Sequence, residues 1–152
     1  AELNKPVSQP ITGKPAGAMV LPDGCVVTGK TSPLLGASAA LLLNALKHMA
    51  GIDHKLELIP ASVIEPISAM KTDYLGHRNP RLHSDEVLIA LAISGLTNPL
   101  AALVQEQLKK LRGCEAHFSV IISEEDAKLY KRLGINVSCE PRYEVKSLYH
   151  KK

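Results

Sequence analysis

Apolar and polar positions change period along this chain, and the changes mark the elements. Residues 1–17 carry Pro6, Pro10, Gly13, Pro15 and Gly17. Prolines at that density deny a helix its backbone donors, so the segment reads as an extended linker before a single domain over residues 18–152. Ala18 to Leu21 and Cys25 to Thr28 are β-prone runs flanking the turn residues Pro22, Asp23 and Gly24, which predicts a hairpin. Leu34 to Ala50 predicts a helix closed by Gly51. Leu34, Leu35, Leu41, Leu42, Leu43, Leu46 and Met49 leave it apolar on nearly every face, so it needs cover on more than one side. Leu56 to Ile59 reads as a short strand. Ser62 and Glu65 have capping-box spacing and open a helix to about Leu75, with Pro66 near its first turn and Gly76 at its end.

A basic loop from His77 to His83 follows. Ser84, Asp85 and Glu86 suit the positive end of a third helix, to about Leu96. Asn98 and Pro99 are an N-cap and a first-turn proline for a fourth, whose stripe is Leu100, Leu103, Val104, Leu108 and Leu111. His117 to Ile122 reads as a strand. Ser123 caps an acidic helix that stops at Gly134, and Ile135 to Cys139 is the last strand, ended by Pro141. There is no internal repeat. Strands alternating with helices predict an α/β fold. The expected form is a three-layer α/β/α sandwich on a five-stranded mixed sheet, an amino-terminal hairpin plus parallel strands. That strand order resembles the cytidine-deaminase-like arrangement, but the H-x-E and P-C-x-x-C zinc motifs of that chemistry do not occur here, so the topology carries no such activity.

Composition narrows the classes. The chain has 152 residues, 45% of them hydrophobic, enough for a real core without staples. The net charge of +3 is modest, and aromatic residues make up 3% with no Trp, which argues against a nucleic-acid surface built on base stacking. Cys25, Cys114 and Cys139 are odd in number and lack C-x-x-C spacing. A disulfide framework, a metal site and a cofactor are therefore not expected, and a reducing cytoplasmic setting fits. The longest apolar run, Pro33 to Met49, is interrupted by Gly36, Asn44 and Lys47 and too short to span a bilayer, so no membrane partner is expected.

Three stretches carry candidate chemistry. Gly24 to Thr31 matches the P-loop pattern letter for letter, but its four variable residues are Cys25, Val26, Val27 and Thr28, which prefer a strand to an open phosphate cradle. Gly29, Lys30, Thr31 and Ser32 still lead into the start of a helix, where backbone donors and the dipole favour an anion. In the polar loop, Arg78 and Arg81 suit two-pronged recognition of phosphate or carboxylate, or else pair with acids that pin the loop. His83 and Glu86 lie one turn apart, too few ligands for a metal. Cys114, Glu115 and His117 put a thiol, an acid and an imidazole within four residues, a candidate catalytic set whose bland alternative is a buried structural cysteine. Cys139 and Glu140 carry the same ambiguity.

Taken together, Leu21-Pro22-Asp23-Gly24, Val27-Thr28-Gly29-Lys30-Thr31-Ser32, Lys71-Thr72, Asn79-Pro80-Arg81-Leu82-His83, Thr97-Asn98-Pro99, Leu111 to His117 and Leu133-Gly134-Ile135-Asn136 resemble the carboxy-terminal part of a bacterial family known by a domain-of-unknown-function label. The resemblance runs from about Ala18 to the end and implies members much longer than this chain. It supplies no catalytic residues. It implies a missing amino-terminal portion, or a second copy, as partner, and the over-apolar helix from Leu34 suits a face meant for that partner. The expectation is a domain contributing an interdomain or subunit interface and part of a ligand cleft. The alternative is an enzyme or binding module for a phosphorylated small molecule or nucleotide. The two diverge on whether the polar loop, the Gly29 to Ser32 turn and the Cys114 to His117 segment share one cleft.

Overall fold

The computed structural model describes residues 14–142. Strand β1 (Ala16–Val20) turns back into β2 (Val26–Lys30), as the sequence predicts. The turn holds because Gly24 takes a left-handed φ of +87° and Asp23 Oδ1 accepts the Cys25 N–H at 2.9 Å. Helix α1 (Ala37–Met49) follows, then α2 (Ala61–Asp73), α3 (Ser84–Ser94) and α4 (Pro99–Gln105), which tightens into a 3-10 turn over Glu106–Lys110. Strand β3 (Glu115–Phe118), helix α5 (Glu124–Arg132) and β4 (Asn136–Cys139) complete the described order. The caps at Asn98 and Ser123 are where the sequence places them: Asn98 Oδ1 accepts from Leu100 N–H and Ser123 Oγ from Asp126 N–H.

The sheet differs from the expectation. It has four strands among the described residues, in the order β2-β1-β3-β4, rather than five. β1 is antiparallel to both β2 and β3, and only β3 and β4 run parallel. The missing member is Leu56 to Ile59. Its first carbonyl has another partner: Lys47, buried in the last turn of α1, donates to Leu56 O at 2.6 Å and, just before the run, to His54 O at 2.7 Å. Leu58 and Ile59 still enter the core, but from a turn rather than a strand. Ser62 is no cap either, since α2 starts at Ala61 after Pro60.

The core explains the packing order. Gly17 and Gly29 let the hairpin approach α1 closely: a Cβ on Gly29 would lie 2.3 Å from the Leu41 backbone nitrogen. Leu41, Leu42, Ala45 and Leu46 then bury completely against the sheet and α3. Phe118 on β3 meets Tyr130 on α5 edge to face at 5.6 Å, and the Tyr130 hydroxyl donates to Ser38 O at 2.7 Å, which ties α5 to α1. The helices that touch the sheet, α1 and α5, therefore share one face of it. α1 is the hub of the domain's own core, and its fully buried leucines are taken up there. Unsatisfied apolar surface lies elsewhere: Ile89 and Ile93 on α3, Leu96 in the connection, and Leu100 and Leu103 on α4 are all exposed, Leu96 by 83%.

Candidate functional site

The carboxyl ends of β2 and β3 open on the same edge of the sheet, the edge where open α/β folds collect ligands. Three helices start there. Gly36, Ala37 and Ser38 begin α1, His83 precedes α3, and Ser123 precedes α5. All of these residues line one cavity of about 70 Å³, floored by Phe118 and Val120.

Asp126 organises this pocket. Its Oδ2 accepts the Ser38 hydroxyl at 2.6 Å; its Oδ1 accepts both the Ser84 N–H at 3.0 Å and the Ser84 hydroxyl at 2.6 Å. One carboxylate from α5 thus serves the first turns of α1 and α3. Burial alone would push its pKa up, but contact with His83 and the Ser38 and Ser84 hydrogen bonds outweigh it and hold the carboxyl far below the usual range. His83 Nδ1 stands 3.6 Å from Asp126 Oδ2, an ion-pair distance rather than a hydrogen bond. That contact raises the His83 pKa against the opposing effect of burial. The imidazole is part-exposed at the cavity wall, oriented by a buried acid.

The α3 start is itself fixed from behind. Glu86 Oε1 accepts the His83 N–H at 2.8 Å and the Nζ of buried Lys71 at 2.6 Å, while the same Nζ donates to Arg81 O at 2.6 Å. α1 is different. It begins with no side-chain cap and no acid in its own first turn.

The residues singled out in the sequence divide into two groups. Arg81 Nε donates to Ser32 O at 2.6 Å, and Leu82 N–H donates to Leu34 O, so the polar loop and the Gly29 to Ser32 turn do meet, beside this pocket. Gly29 and Lys30 lie in β2, however, with their backbone in the sheet ladder rather than in a phosphate cradle. Thr31 is buried, Ser32 folds onto its own turn through Leu35, and Arg78 is exposed.

Cys114, Glu115 and His117 do not join them. Cys114 is buried at the opposite end of the sheet, beside a cavity of about 350 Å³ lined by Leu21, Arg112 and Glu115, and burial pushes its thiol pKa up. The pleat sends His117 to the other face, where Nδ1 lies 2.8 Å from Ser138 Oγ and Nε2 2.8 Å from Glu140 Oε2. His117 is held between β3 and β4 by these two partners, and the thiol and imidazole do not form a pair. Glu115 is exposed at the start of β3.

Ser38, Ser84 and Asp126 are the residues that sequence reasoning missed. Ser123 and Asp126 have the S-x-x-D spacing of a capping box, which was a usable signal. Nothing local told that the Asp126 carboxylate turns inward to two other helices.

The pocket defines a class: a mixed α/β domain with a buried acid beside a part-exposed histidine at converging helix starts. Residues 5–149 match the family model described as "Domain of unknown function DUF1846, C-terminal", and the chain belongs to that family. A UPF0371 protein of Corynebacterium efficiens is 52% identical over 141 residues, and one of Corynebacterium glutamicum strain R is 50% identical over 141. A UPF0371 protein of Streptococcus pneumoniae strain G54 is 50% identical over 140 residues. These alignments take in 92–93% of this chain but 28% of each relative. The chain spans just over a quarter of their length, and the resemblance to one part of a longer family stands.

Proposed function

We propose that this domain forms one wall of a ligand cleft in a longer protein, and that the group it receives is small and anionic, such as a phosphoryl or carboxylate group. The carrying observation is the convergence of the α1, α3 and α5 starts on one pocket, where α1 alone lacks a cap and an acid of its own. Helix starts offer backbone N–H donors and a positive dipole end. The Asp126 carboxylate stays ionised there, and a protonated His83 beside it is the counter-charge that lets an anion approach. The cavity of about 70 Å³ holds only one small group, so the remainder of any larger ligand lies outside it, against another surface. His83, oriented by Asp126, is placed to hold or transfer a proton on that group.

A second reading, docking, rests on a separate observation. Ile89, Ile93, Leu96, Leu100 and Leu103 expose a run of apolar side chains along adjacent helices. The rest of the longer protein is the partner that reading assigns to them.

A thermal-shift screen with inorganic phosphate, sugar phosphates and nucleotides tests the cleft, since a ligand for the folded state must stabilise it. The melting temperature should rise saturably with a phosphorylated compound, and His83→Ala should abolish the rise. Equal shifts in the wild type and that variant, or none with any compound, contradict the cleft.

A further inference from the structure

The β1–β2 turn and the end of α1 bring together three side chains outside the pocket. Asp23, Cys25 and His48 each offer one donor atom, and the three atoms lie within 4.8 Å of one another. Asp23 Oδ2 is already 3.0 Å from His48 Nε2. Asp23 and Cys25 sit two residues apart on a turn whose shape is set by the Asp23 Oδ1 bond to Cys25 N–H and by Gly24, so both donors hang from one rigid corner. His48 comes from the last turn of α1, which Lys47 anchors by its two carbonyl bonds.

We infer that Asp23, Cys25 and His48 form a binding site for a divalent transition metal, with Zn²⁺ the ion best suited. A carboxylate oxygen, a thiolate and an imidazole nitrogen are the three donor types that zinc accepts together. Donors on a tetrahedral zinc lie roughly 3.3–3.8 Å apart, given metal–ligand bonds of about 2.0–2.3 Å, so side-chain rotations alone bring this set to bonding geometry. The negative end of α1 lies beside His48 and favours a cation. Three protein ligands leave a fourth position for water or substrate. His48 also lines an open cavity of about 480 Å³ with Asn44, Asp53 and His54, which gives that position room. No short motif announces the site, because the third ligand comes 23 residues after Cys25 and from another element; the expectation of no metal rested on the number and spacing of the cysteines and on local motifs.

The test is titration of the chain with Zn²⁺ against a chromophoric chelator, with Co²⁺ as a spectroscopic probe. One equivalent should bind, and bound Co²⁺ should show tetrahedral visible bands with a thiolate charge-transfer band. Cys25→Ser should remove the charge-transfer band. His48→Ala should weaken binding by at least about tenfold, no less than loss of an outer-shell group costs. Cys114→Ser and Cys139→Ser should change neither. Both ligand residues are exposed, so the variants are expected to fold, and circular dichroism checks this. Binding that survives both ligand substitutions, or a Co²⁺ spectrum without a thiolate band, overturns the assignment.

Discussion

Asp126 shows how much one buried side chain can organise. It accepts three hydrogen bonds from Ser38 and Ser84 and faces His83, so its removal leaves three buried donors without their acceptor. Asp126→Ala should therefore lower stability by more than about 2 kcal/mol, read from the urea midpoint. The pH dependence follows from the two shifts. A carboxyl held below its ordinary value of 3.8 adds stability that is complete above that value and is lost as pH falls below it. His83 is raised above 6.5, so its contribution is full below 6.5 and fades as pH climbs through its folded-state value. Stability should thus be greatest between about pH 5 and 6.5, and Asp126→Asn should flatten both flanks. Neither residue stood out in the sequence as a pair, since 43 positions separate them and only the fold joins them. The reverse holds for Cys114 and His117, neighbours in sequence that the pleat turns to opposite faces.

At the level of elements, punctuation was the readable part. Gly24, Asn98 with Pro99, Ser123 and Gly134 act through short-range backbone geometry, and the elements they bound appear where those residues place them. Leu56 to Ile59 was misread because a short apolar run looks alike in a strand and in a core-lining turn. The deciding contact, Lys47 reaching the His54 and Leu56 carbonyls, comes from a neighbouring helix end. The P-loop pattern has a similar lesson. Its second glycine is there for helix packing: Gly29 brings β2 against the Leu41 backbone. Gly29→Ala should cost more than about 3 kcal/mol, above the usual cost of overpacking, because the added Cβ meets helix backbone. Gly24→Ala, with open space but a left-handed φ, should cost only about 1–2 kcal/mol. Chemical denaturation of the two variants makes the comparison, and equal losses would mean that the close approach carries no energetic weight.

For the whole molecule, composition pointed to the Leu34 helix as the apolar surface in want of cover, whereas the large apolar side chains left most exposed lie on other elements. Leu41, Leu42, Ala45 and Leu46 of α1 are buried by its own domain, while the α3–α4 region exposes Ile89, Ile93, Leu96, Leu100 and Leu103. The family's relatives are more than three times as long, and the proposed cleft and docking surface would be completed by their remaining part. The most direct test is hydrogen–deuterium exchange on a full-length family relative and on its isolated carboxy-terminal domain. Amides of residues matching 89–103, and those matching the α1, α3 and α5 starts, should exchange more slowly in the longer protein. Identical exchange in both regions would show a domain that neither docks nor shares its cleft.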